Sequence, residues 1–75
     1  MSDLEAQMRS AWACVSAIRG ALARRVASER IVITIAEFEA FAELPGIQRP
    51  VARFVRKQAR ELWNEVGKQL AEGVA

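Results

Sequence analysis

The chain has 75 residues, 11 Lys+Arg against 9 Asp+Glu for a formal charge of +2, no histidine and a single cysteine. That length allows one small domain, residues 1–75. The missing imidazole excludes a Ser-His-Asp or Cys-His nucleophile and a His/Cys zinc site, and one cysteine builds no disulfide framework.

With 52% hydrophobic residues the chain is too apolar for a disordered tail. Below ~70–80 residues a single core rarely supplies more than about 3–5 kcal/mol, so a second copy or another partner is expected to cover part of the apolar surface. Met1-Ser2-Asp3-Leu4-Glu5 lacks the basic start and apolar run of a signal peptide. The longest apolar run, residues 31–36, is broken by Thr34 and falls far below the ~18 residues of a membrane span. A cytoplasmic protein with no membrane contact is the expectation.

The first predicted element is a long helix over residues 3–28. Ser2 and Glu5 have the spacing of a capping box. Leu4, Met8, Ala11, Val15, Ile18 and Leu22 follow at alternating steps of four and three, the spacing of a coiled-coil seam, and are expected to form a homodimer interface. Ala13, Ala17, Gly20 and Ala21 lie beside that seam, where small side chains let another helix approach closely. Cys14, next to Val15 and away from any helix end, reads as a buried, inert thiol.

Residues 31–35 are five β-branched side chains in a row, a pattern that favours strand over helix. A short extended segment over about residues 30–35 is therefore predicted, its mate supplied by a second subunit. Thr34 and Glu37 then have capping-box spacing and open a short helix over about 35–44, with Ile35, Phe38, Phe41 and Ala42 inward. Leu44-Pro45-Gly46 stops it. Pro50 suits the first turn of a last helix, about 49 to 72, whose inner stripe is Val51, Val55, Ala59, Leu62, Val66 and Leu70. The fold class is mostly α: two long antiparallel helices, one short helix and the extended segment, associated as a dimeric four-helix-like bundle.

Little here supports catalysis. Glu37, Glu39 and Glu43 are the densest carboxylates, and they read as the solvated face of an amphipathic helix opposite its phenylalanines. The four glycines are isolated, so there is no phosphate-cradling loop. No enzymatic activity, metal or cofactor is expected.

One feature has a functional direction. Residues 49–60 carry five cations and no acid: Arg49, Arg53, Arg56, Lys57 and Arg60. At 100° per residue, four of them fall within a stripe of about 60°, its centre roughly 120° from that of the apolar stripe. A plain solvated face mixes in Glu for i,i+4 pairs, whereas a single-signed row of guanidiniums suits a phosphate backbone. Arg30 and Thr34 are weaker candidates for closer contacts. Two DNA-reading arrangements fit the middle of the chain in part: a helix-turn-helix through residues 41–47, with Pro45 and Pro50 awkward for it, and a strand-helix-helix reader whose strands pair across a dimer.

The function expected is a small dimeric DNA-binding regulator of transcription. The alternative is a protein–protein module, an adaptor or small inhibitor, acting through the apolar seam and through Trp12 and Trp63, which sit at the edges of their helical stripes.

Overall fold

The computed structural model describes residues 3–73. They form three helices, α1 (Asp3–Ala23), α2 (Ser28–Phe41) and α3 (Arg49–Gly73). Each contributes one apolar face to a shared core: Ala11, Val15, Ile18 and Leu22 from α1, Ile31, Ile35 and Phe38 from α2, and Val51, Ala52, Val55, Ala59, Leu62 and Val66 from α3. Ala42, just past α2, closes it.

The predicted extended segment is absent; residues 31–35 are the first half of α2. β-branched residues lower helix propensity only by tenths of a kcal/mol each. Ile31, Ile35 and Phe38 are spaced i, i+4, i+7, and as a helix they bury one continuous face at 2%, 0% and 4% exposure. Each such burial is worth about 1.5–3 kcal/mol, and it outweighs the local preference. A strand would also have lacked a mate, since no strand occurs among the described residues. Thr34 accordingly opens no helix. Its hydroxyl donates to the Arg30 carbonyl one turn back at 2.8 Å, the usual way a mid-helix threonine satisfies itself. Ile33, turned outward, is left 58% exposed.

The first helix also stops earlier than its pattern suggests. At its end the Val26 amide bonds the Ala21 carbonyl and the Arg25 amide bonds the Leu22 carbonyl, both at 3.1 Å, the paired bonds of a Schellman ending. Arg25 takes the left-handed position with φ 57°. Ala27 then leads into α2 with no side-chain cap. Ser2, the opening residue of the predicted Ser2–Glu5 capping box, lies outside the described residues, and Glu5 stands in the first turn of α1.

The order of packing corrects the antiparallel pairing of the long helices. Going up α1, Gln7 meets Gly46 and Gln48, Trp12 meets Phe54, Arg19 meets Gln58 and Glu61, Leu22 meets Gln69, and Arg25 meets Glu72. Residue numbers rise together, so α1 and α3 are parallel. On α2 they run oppositely: Glu43 meets Arg56 and Glu39 meets Trp63. The chain is an up-down-up three-helix bundle, not a long hairpin with a short closing helix. It is also an elongated one, 47 × 18 × 15 Å. A 14-residue helix is about 21 Å long and cannot lie across so narrow a rod. The α2–α3 pair therefore runs lengthwise and lacks the steep crossing of a helix-turn-helix.

Residues 4–22, expected as a dimer seam, are spent inside the single chain: Ala11, Val15, Ile18 and Leu22 are buried, while Leu4 and Met8 are half-buried against the same core. Cys14, expected buried, is exposed, because one residue before Val15 means about 100° away from the core. Of the small residues, Ala13 and Ala17 are exposed and only Gly20 and Ala21 are half-buried. Leu70 is 45% exposed; it lies just beyond Gln69, which already reaches the last turn of α1, so little of α1 remains to cover it.

Two expectations follow. Ile35→Ala should cost about 2–5 kcal/mol, whereas Ile33→Ala should be neutral or raise stability by a few tenths, alanine being the better exposed helix former; a substantial loss at residue 33 in urea unfolding would contradict a helical α2. Arg25→Gly should raise the unfolding midpoint, because glycine removes a left-handed penalty of roughly 1 kcal/mol and the Arg25–Glu72 pair it gives up is well exposed and worth little.

Candidate nucleic-acid interface

Arg49, Arg53, Arg56, Lys57 and Arg60 all lie on the first half of α3 and all are exposed. The neighbours of α3 explain why. Phe54, Gln58 and Glu61 turn to α1, and Trp63 turns to α2. Both partners thus occupy the sides flanking the buried Val51–Val55–Leu62 face, and the arc centred on Arg49, Arg53 and Arg60 is covered by neither helix. The stripe predicted from spacing alone is a continuous outer surface about 16 Å long at 1.5 Å per residue.

Only Arg56 among the five forms an ion pair with another described residue, Nη2 to Glu43 Oε1 at 3.1 Å. That contact ties the stripe's edge to the turn after α2. Elsewhere the bundle does pair its cations across helices, with Arg19–Glu61 at 3.5 Å and Arg25–Glu72 at 3.6 Å. The charge is also arranged against the helix dipole. The first turn of α3 contains no acid and begins at Arg49, and its last turn contains no base. A cation in that first turn costs about 0.3–1 kcal/mol relative to the favourable end, so the charge of Arg49 does not serve the stability of α3.

Gln7 holds the start of α3 in place. Its side-chain amide donates to the Gly46 carbonyl at 2.9 Å, and its carbonyl accepts the Gln48 backbone amide at 2.9 Å. One side chain thereby satisfies an orphan amide ahead of α3 and fastens the turn, where Gly46 sits at φ 88°, to α1. At the other end Gln69 donates to the Leu22 carbonyl at 3.0 Å. Neither glutamine carries a local sequence signal, since each meets its partner about 40 residues or more away.

Arg30 and Thr34 do not join the stripe. They line a groove between α1 and α2 with Ala17, Ala21, Val26 and Ile31, on the far side from the outer arc of α3. Arg30 also lies towards the end of the bundle opposite Arg56.

The two tryptophans differ. Trp63 is half-buried and its indole Nε1 donates to Glu39 at 3.3 Å, so it helps dock α2. Trp12 is 52% exposed, with the Phe54 ring 4.8 Å away and tilted 47°. The acids read as a solvated face are indeed exposed, and two of them, Glu39 and Glu43, also bridge to α3. Among the described residues no three of His, Cys, Asp and Glu gather as metal ligands, and no helix is long and apolar enough to cross a membrane. No known family model, curated protein or solved structure matches the chain, so no relative's role is carried over to it.

Gln7→Ala should destabilise the bundle by about 1–2 kcal/mol, as expected for a lost cap that also bridges two segments. In hydrogen exchange the loss should concentrate in the first turns of α3; uniform loss along all three helices would argue against this role.

Proposed function

We propose that the protein is a small non-enzymatic binding module that holds a nucleic acid by its phosphates on the outer face of α3. The observation that carries this reading is the row of Arg49, Arg53, Lys57 and Arg60: exposed, single-signed, without an ion pair among the described residues, and starting at Arg49 in the first turn of α3, where a cation is least favoured. Guanidiniums offer forked donors to phosphate oxygens, and the positive end of the α3 dipole adds to the same field.

The dimeric, transcription-regulating form of this reading loses two supports. The 4–22 stripe packs into the chain's own core, and residues 31–35 are helix rather than strand, so a single chain presents the whole basic face. The competing adaptor or inhibitor reading relied on the same stripe and on both tryptophans. With the stripe packed into the core, Leu4 and Met8 half-buried at its start, and Trp63 docked on Glu39, Trp12 is the feature of that reading left most open.

Binding of a labelled mixed-sequence duplex should fall on the order of a hundredfold or more between about 50 and 200 mM salt, as expected for four or five neutralised phosphates. Arg53→Glu with Arg60→Glu should abolish binding at low salt while the helical circular dichroism is retained. Among the described residues neither position makes a side-chain hydrogen bond or ion pair, unlike Arg56. Undiminished binding by the double variant would remove α3 as the surface.

A further inference from the structure

Trp12 is a large apolar side chain left 52% exposed. It is also held. The Phe54 ring stands 4.8 Å behind it at a 47° tilt, within the range of favourable aromatic pairs. Phe54 follows Arg53 directly and precedes Lys57 by three residues. On the helix those cations stand about 100° and about 60° round from it, on the solvent side. Because α1 and α3 are parallel, Trp12 lies level with the middle of the basic row, on its α1 flank. Along α1 and α3 the next acids are Glu5, two turns before Trp12, and Glu61, two turns after Phe54 and held by Arg19 at 3.5 Å.

An open indole beside a phosphate-binding row has no work to do on a duplex, whose base faces are stacked against each other. It suits a single strand, in which a base leaves the stack and lies on an aromatic ring while the backbone follows the cations. Resting on the phosphate-binding reading above, we infer that the ligand of the α3 face is single-stranded nucleic acid, with the Trp12 indole as the stacking platform and Arg53 and Lys57 as the phosphate contacts beside it.

The test is fluorescence anisotropy at low salt with a labelled oligo-thymidine of about 20 nucleotides and a labelled duplex of the same length, a span ample for one such site. Wild type, Trp12→Ala and Trp12→Phe are compared, with circular dichroism confirming that each remains helical. The expected result is tighter binding of the single strand than of the duplex. Trp12→Ala should weaken single-strand binding about tenfold, and Trp12→Phe should retain most of it, in line with base–aromatic stacking. Duplex binding should change less than twofold in either variant. Equal losses on both ligands, or no preference for the single strand in wild type, would overturn the stacking role and leave the phosphate row standing. No binding of either ligand by wild type would overturn both.

Discussion

Burial of Ile31, Ile35 and Phe38 on one side of α2 is the constraint from which the rest of the arrangement follows. Those three side chains are almost wholly inaccessible, and only a helical backbone places them together. Once residues 28–41 are helical, the chain has three amphipathic rods joined by short turns, and consecutive rods so joined pack antiparallel. The two long helices, first and third, are then necessarily parallel. Ile18, Ile35 and Leu62, one from each rod, stand among the largest fully buried side chains. This shared core consumes the apolar stripe of α1 that a two-helix chain would have had to cover with a second copy.

The same topology leaves α3 with a free arc. Two neighbouring helices occupy its flanks, and nothing among the described residues lies over Arg49, Arg53 and Arg60. The turn that precedes α3 is fastened from outside by Gln7, and the Arg56–Glu43 pair adds a charged contact at the border of the row. The basic surface is thus carried on the longest helix, whose inner side contributes more buried residues than either of the others. A rigid row of this kind loses little conformational freedom of the backbone on meeting a polyanion, so more of the electrostatic attraction is retained as binding.

Several features were legible in the residues because their causes are local. The helical periodicity of Val51, Val55, Ala59, Leu62 and Val66, the stop at Pro45-Gly46, and the outward stripe of Arg49, Arg53, Arg56 and Arg60 all follow from spacing within one segment. The placement of Trp12 and Trp63 at stripe edges was legible too, though their different fates were not. Trp63 meets a carboxylate on α2 and Trp12 meets a ring on α3, and neither partner is near in the chain. The extended reading of residues 31–35 failed because β-propensity is a weak, context-dependent preference set against a core face that only appears once the other helices are in position.

By itself, then, the sequence determined where helical faces exist, where the chain must turn before α3, and which sign of charge the first half of α3 shows to solvent. These depend on residue spacing, on proline and glycine geometry, and on the absence of acids from residues 49–60. Tertiary structure alone decided that Arg25 rather than a glycine would end α1, that α1 and α3 run parallel, that Gln7 and Gln69 would tie their ends, that Arg30 lies apart from the basic row, and that an exposed indole stands beside it. Each of these depends on which surfaces share one small core, a competition among burial energies of a few kcal/mol that no single segment contains.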